Sequence, residues 1–338
     1  MIPMDRMIVI GSNSFSGSSF VRYCMCLGAS VTGISRSDEP HPVFLPYKWA
    51  SGEDGDPSKG SFAFHRLDLN KDSEQIADLV GNMKATVVVN FAAQGMVAQS
   101  WENPLDWYRT NVLGNVALHE RLRRFDFLKR YVHVSTPEVY GSTAGKVAED
   151  APFNPSTPYA ASRAACDMHL RTFFKRYGFP VVYTRAANVY GPAQQLYRII
   201  PRTMLFIRLG KKLQLHGGGL STRSFIHIRD VAEATWRIAE RGTNGETYHI
   251  STGKYVSIRE IVERICRMMN VAFDTVVETA DERPGKDDAY LLNSSKLRGE
   301  LGWEDRLSLE DGLRETLRWI DGNLEILKGR PLDYIHKE

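Results

Sequence analysis

The 338 residues can bury a full core, as two domains or one large α/β unit. Their 43% hydrophobic and 25% charged content is that of an ordinary globular chain. With 43 basic against 40 acidic residues and no polybasic run interleaved with aromatics, nucleic acid is not an expected partner. No apolar stretch reaches 18 residues, so no membrane span is expected. Met1 to Gly11 runs into a strand-like segment without signal-peptide architecture, which places the protein in the cytoplasm. Cys24, Cys26, Cys166 and Cys266 lack metal-ligand spacing and read as reduced, buried thiols, with no metal expected.

Strand and helix signals alternate from the start. Met7 to Ile10 is an apolar run, followed by a small-residue turn and an amphipathic stretch through Leu27. Val31 to Ser35, Phe62 to Leu69 and Thr86 to Phe91 read as further strands, the last as a buried parallel one. Leu105 to Phe125 reads as a helix, Tyr131 to Ser135 as a strand, Tyr159 to Tyr177 as a long helix and Val181 to Arg185 as a strand. This alternation predicts a doubly wound parallel sheet of the Rossmann type. After Asn188 the texture changes. Ile199 to Leu209 is helical, Arg223 to Glu240 is a strand feeding a helix, and Ser257 caps an amphipathic helix to Met269. Ser294 to Leu327 is helical with breaks, and Ser51 to Ser61 is the expected flexible piece.

The turn after the first strand is Gly11-Ser12-Asn13-Ser14-Phe15-Ser16-Gly17. Small residues are needed where backbone approaches a pyrophosphate at a helix N-terminus. Gly11, Asn13, Ser14, Phe15 and Gly17 are therefore candidate dinucleotide contacts, with Ser14 in place of a middle glycine and its hydroxyl available to a phosphate oxygen. The second strand ends in Ser35-Arg36-Ser37, where an NAD site usually carries an acid. An arginine flanked by serines suits a 2′-phosphate, so NADP is favoured and NAD, served by Asp38, is the alternative.

Ser135-Thr136-Pro137-Glu138 and Tyr159-Ala-Ala-Ser-Arg163 carry the chemistry. On a helix, positions i and i+4 share a face, so the phenol and the guanidinium can act on one site. A phenol is a poor base at neutral pH unless a cation stabilises its phenolate.

Together these segments resemble the extended short-chain dehydrogenase/reductase family, its nucleotide-sugar epimerase/dehydratase group, and within that the 4,6-dehydratases of the dTDP-glucose type. The resemblance covers nearly the whole chain. It includes Arg66-Leu67-Asp68-Leu69 and Asn90-Phe91-Ala92-Ala93-Gln94. It also includes Thr110-Asn111-Val112-Leu113-Gly114, Arg185 to Pro192, Ser221 to Val231, and Asp281 to Asp287.

The resemblance implies that Asp68 and Leu69 meet the adenine and that Ala92, Ala93 and Gln94 underlie the pyrophosphate and nicotinamide. Asn111 shapes the central helix, and Ser135 belongs with the cofactor contacts. Asn188, Arg223 and Arg283 would hold the substrate pyrophosphate, with base recognition on Gln194 to Arg202, where Arg202 is the candidate contact. It further implies a Rossmann domain over 1–186 and 219–249 with a smaller α/β substrate domain over 187–218 and 250–338. A homodimer through a four-helix bundle is implied as well.

The implied reaction oxidises a nucleotide sugar at C4, eliminates water across C5 and C6, and returns the hydride. Tyr159 is then the base at the 4-hydroxyl, Thr136 its hydroxyl partner, Glu138 the C5 base and Arg163 the phenolate-stabilising cation. Two residues depart from the pattern. Pro137 stands where dTDP-glucose enzymes carry an acidic Asp, and Arg163 replaces the family's lysine. An NDP-sugar epimerase (at C4 or C5), a uronate decarboxylase and a catalytically silent nucleotide- or redox-binding protein are the alternatives. Retention of Glu138 favours C5 chemistry over C4 epimerisation.

Overall fold

The computed structural model describes residues 2–49, 59–143, 145–281 and 289–337. Residues 51–58 of the expected flexible piece, and Arg283, lie outside the described residues.

Seven strands form the central sheet: β1 Met7–Ile10, β2 Val31–Ser35, β3 Phe62–Arg66, β4 Val87–Asn90, β5 Arg130–Val134, β6 Val181–Ala186 and β7 Thr247–Ile250. Their order is β7-β6-β5-β4-β1-β2-β3 and every pairing is parallel. The central strands β1 and β4 are buried along their whole length, which is why their sequences are continuous apolar runs. Strand order reverses between β1 and β4, and in open α/β sheets the carboxyl edge at such a point is where ligands bind.

The α-helices among the described residues are α1 Phe15–Cys26, α2 Ser73–Met83, α3 Pro104–Tyr108, α4 Asn115–Leu122, α5 Pro158–Tyr177, α6 Ile199–Arg208, α7 Ile228–Arg241, α8 Ile258–Met268, α9 Phe273–Val276, α10 Ser295–Leu301, α11 Leu309–Gly322 and α12 Leu324–Leu327. One face of the sheet packs Val9, Val89 and Val132 with Phe20 and Val21 of α1 and Val231 and Ile238 of α7. The other face packs Ile8, Ile10 and Val88 with Ile76, Leu118 and Leu170 from α2, α4 and α5. A separate cluster joins Ile200 and Met204 to Ile261, Leu313 and Ile320, so the later helices bury their own core.

Local chemistry sets the long helix. Thr157 accepts from Ala160 N, Pro158 occupies the first turn, and Gly178 ends the helix at φ 65°. The N-cap expected at Ser257 is present at the start of α8, and Glu260 makes it reciprocal. The continuous helix expected from Leu105 to Phe125 is instead α3, a π-helical stretch Arg109–Gly114, and α4. That widened turn contains Asn111, whose side chain bonds the backbone of Gln94 in the loop after β4.

Candidate active site

The turn after β1 closes tightly. Gly11 sits at φ 83°, and a Cβ there would stand 2.7 Å from Ala92 N; one on Gly17 would collide with the Gly11 carbonyl oxygen. Bare backbone is thus brought to the amino end of α1, where the helix dipole favours an anion. Ser14 corrects one expectation. Its Oγ donates to Gly11 O at 2.7 Å and accepts from Gly17 N at 3.0 Å, so the hydroxyl caps α1 and is not directed to a phosphate. Phe15 is buried in the core and Asn13 N donates to Ser35 Oγ at 3.0 Å, tying the turn to the end of β2.

Arg36, at that same strand end, donates to Gln94 Oε1 and to the carbonyl of Lys337, both at 3.1 Å. Asp38 pairs with Arg66 at 3.1 Å on the surface. Asp68 Oδ1 accepts from Asn70 N, and Leu69 is buried in the core. Beyond β4, Ala92 N donates to Asn90 Oδ1, Ala93 is exposed, and Gln94 is buried. Asn111 clamps Gln94: it accepts from Gln94 N at 2.8 Å and donates to Gln94 O at 3.0 Å and Ser162 Oγ at 2.9 Å. Its part is to hold that loop against α5.

The reacting groups gather at the carboxyl end of β5. Thr136 begins the short 3₁₀ turn Pro137–Tyr140, and Pro137 fits because a first-turn position needs no N–H. Thr136 Oγ1 donates to Glu138 Oε2 at 3.3 Å and also meets the phenol of Tyr159. Ser135 turns the other way and donates to the buried Asp167 Oδ2 at 2.8 Å, which commits its hydroxyl hydrogen to the interior.

Arg163 lies on the face of α5 that carries Tyr159 and is buried to 2% exposure. Its Nη2 donates to the Val134 carbonyl, while Nε and Nη1 have no hydrogen-bond partner among the described residues. Buried unpaired N–H groups are costly and are completed by an acceptor such as a ribose hydroxyl. With the bare turn at α1, they fit a dinucleotide lying along this edge.

Burial is the largest influence on the Tyr159 phenol and pushes its pKa above the ordinary 10, with the Glu138 carboxylate adding to the rise. Arg163, Thr136 and Arg198 oppose that rise without reversing it. The expected lowering by the neighbouring cation is therefore present but outweighed, because desolvation penalises the phenolate more than the guanidinium rewards it.

Two residues join the site that the sequence reading did not single out. Tyr290 is buried, donates to Asn188 Oδ1 at 2.8 Å, and carries the Arg223 guanidinium over its ring at 4.6 Å. Its phenol is pushed up by burial and then by Glu138, so it stays neutral beside that carboxylate. Arg198, one residue before α6, acts on the phenols of Tyr159, Tyr290 and Tyr334 alike. It lay within the expected base-recognition stretch, and Tyr290 lies three positions beyond the Asp281–Asp287 segment. Asn188 and Arg223 are thus brought together with the reacting groups. Arg202 is not: it binds Leu332 O at 3.0 Å and Asp333 Oδ1 at 2.9 Å.

A family profile described as GDP-mannose 4,6 dehydratase matches residues 8–316. A dTDP-glucose 4,6-dehydratase of Xanthomonas campestris pv. campestris is 33% identical over 346 residues, covering 96% of each chain. A trifunctional UDP-glucose 4,6-dehydratase/UDP-4-keto-6-deoxy-D-glucose 3,5-epimerase/UDP-4-keto-L-rhamnose-reductase of Arabidopsis thaliana is 34% identical over 279 residues. That match takes in 80% of this chain, which spans only 41% of the length of the plant protein. The crystal structure of DesIV, a dTDP-glucose 4,6-dehydratase from Streptomyces venezuelae with NAD and TYD bound, superposes with a TM-score of 0.85. The two are 30% identical, over 95% of this chain and 98% of that one. The chain belongs to the GDP-mannose 4,6-dehydratase family, within the nucleotide-sugar group of the extended short-chain dehydrogenases/reductases.

Proposed function

We propose that this chain is a nucleotide-sugar 4,6-dehydratase, and the single observation that carries the reading is the Thr136–Glu138–Tyr159 constellation beside Arg163. A carboxylate hydrogen-bonded to the hydroxyl that also meets the catalytic phenol is what C5 proton removal needs and a simple C4 oxidation does not. When bound, a nicotinamide supplies the hydride acceptor for C4 oxidation and the hydride that later reaches C6. Tyr159 takes the proton of the 4-hydroxyl, with Thr136 directing that oxygen. The Glu138 charge that disfavours the phenolate also makes it a stronger base toward the sugar. Glu138 then removes the C5 proton, which the new 4-ketone has acidified, and passes it to the departing 6-hydroxyl in the role that Pro137 cannot fill. The proton held by Tyr159 balances the one that C5 regains.

Asn188, Arg223 and Arg283 are the proposed pyrophosphate ligands, with Tyr290 orienting Asn188. Of the two cofactors, the serines around Arg36 favour NADP. NAD is the second reading, favoured by its presence in the DesIV crystal. We take residues 1–186 with 219–249 as the cofactor part and 187–218 with 250–338 as the sugar part. A homodimer that pairs the α3–α4 segment with α5 is supported by exposed apolar side chains on both: Leu105 and Tyr108 of α3, Leu113 of the π-helical stretch, and Met168 of α5.

The test is to incubate the full chain with dTDP-, UDP-, GDP- and CDP-hexoses under each dinucleotide and follow product mass. Loss of one water is expected. Loss of carbon dioxide, or a new isomer of unchanged mass, would replace the dehydratase reading with a decarboxylase or an epimerase.

A further inference from the structure

Residues 331–337 belong to no helix or strand, reach Gln94 and Arg36 at the carboxyl edge of the sheet, and alternate in burial. Leu332, Tyr334 and His336 are half-buried, while Pro331, Asp333, Ile335 and Lys337 are exposed. A segment whose every second side chain is covered is docked along one side. Its contacts fall on both parts of the chain. At one end Arg202 of α6 holds Leu332 O and Asp333, and the Tyr334 ring stands edge-on to Tyr197 with centroids 5.6 Å apart. At the other end Gln94 Nε2 lies 3.2 Å from Tyr334 OH, 3.1 Å from His336 Nδ1 and 3.1 Å from Lys337 O. Arg36 binds that same Lys337 carbonyl.

The His336 ring is placed with care. It stacks on Trp107 with centroids 5.1 Å apart and planes 9° apart, and its Nε2 stands 2.8 Å from Asp106 Oδ2. An Nε2–H tautomer satisfies both nitrogens at once, donating to Asp106 and accepting from Gln94.

Arg36 ends β2 and Gln94 follows β4, and these strands flank β1 on either side. The Arg36–Gln94–Lys337 contacts therefore bridge the two strand ends that flank β1 and the Gly11 turn. We propose that residues 331–337 are a strap that roofs the dinucleotide site, with Tyr334 and His336 as its positioning residues, and that it retains the cofactor between turnovers. The proposal rests on the dinucleotide reading given above. Retention suits that chemistry, because a hydride that returns to the same sugar leaves the cofactor in its starting state with no need to exchange.

The experiment measures cofactor release directly. The full chain is loaded with NADH or NADPH and chased with excess oxidised dinucleotide while the fluorescence is followed. The double variant Tyr334→Ala/His336→Ala is expected to release the reduced cofactor roughly tenfold faster, as the loss of a few hydrogen bonds and a stack implies. Asp106→Asn, which loosens His336 from the opposite side, is expected to move release in the same direction by less. Unchanged melting of the ligand-free variants identifies them as folded. Equal or slower release from the folded variants overturns the strap while leaving the dinucleotide reading intact. A full chain that binds neither NADH nor NADPH overturns both.

Discussion

The two carboxylates at the carboxyl end of β5 live in different surroundings. Glu138 is half-buried, hydrogen-bonded to Thr136, and faces the phenols of Tyr159 and Tyr290. Asp167 is fully buried on α5, 2.7 Å from Arg185, 3.2 Å from His133 and bonded by Ser135. Burial pushes Asp167 up, but Arg185 and then His133 pull its carboxyl well below the usual range. Arg185 continues the chain to Tyr140 at 2.5 Å, and Tyr140 to His249 at 2.8 Å. A charge met from several directions by fixed partners is a structural element, whereas one beside neutral phenols at an open edge can still take a proton. Adjacent residues, Ser135 and Thr136, feed the two regions because successive side chains on an extended segment point to opposite sides.

The largest effect expected from this contrast is on Glu138. Glu138→Gln keeps shape and hydrogen bonding but removes the base, so elimination should slow by about 10²–10⁴-fold, the usual contribution of a positioned base. The urea midpoint should stay near that of the parent protein. C4 oxidation does not need this carboxylate, so reduced nicotinamide should accumulate in its absorbance band after substrate is added. Elimination at the full rate would return Glu138 to a structural role and erase the distinction between the two carboxylates.

Asp167→Asn should do the reverse. It leaves the Arg185 guanidinium buried without its counter-charge, a change that costs about 3–5 kcal/mol in comparable buried pairs. Urea unfolding read by tryptophan fluorescence checks it. A loss below about 1 kcal/mol would mean that the Asp167 region holds its charge no more tightly than a surface ion pair does.

The same contrast governs what could be read in advance. Tyr159 with Arg163, and Thr136 with Glu138, are local patterns, and the Gly11 turn follows from a strand meeting a helix, so chain spacing alone brings them together. Ser14 and Ser135 were legible as hydroxyls but not as to direction: the same oxygen can cap a helix, bond a carboxylate or meet a phosphate. The π-helical turn at Asn111 leaves no mark in hydropathy, because one extra residue in a turn does not change which side chains are apolar. The strap was invisible for another reason. His336 and Gln94 are separated by 242 positions, and a three-step alternation of Leu332, Tyr334 and His336 is too short to stand out from a loop.

The effect spread over the most groups, and the one that tests the interior alone, is pH dependence. His119, His133, His227 and His249 are buried, and burial pushes each imidazole below its ordinary 6.5; for His227 and His249 the pKa falls to about 3. Arg163 adds to the depression of His133, and Arg185 to that of His249. Such a group is neutral in the folded chain and protonates first in the unfolded one. The stability it contributes is therefore complete above about 6.5 and is lost as pH falls from there toward its folded value. Each imidazole should contribute a slope of about 1.4 kcal/mol per pH unit in that window. The urea midpoint should hold between pH 7 and 8 and decline steadily from pH 6.5 to 5, before Asp167 titrates. His249→Gln, which can still meet Tyr140, should shed one imidazole's share of that slope. A midpoint that stays flat down to pH 5 would show that these rings protonate in place, and the region around Asp167 would then be as open to protons as the one around Glu138.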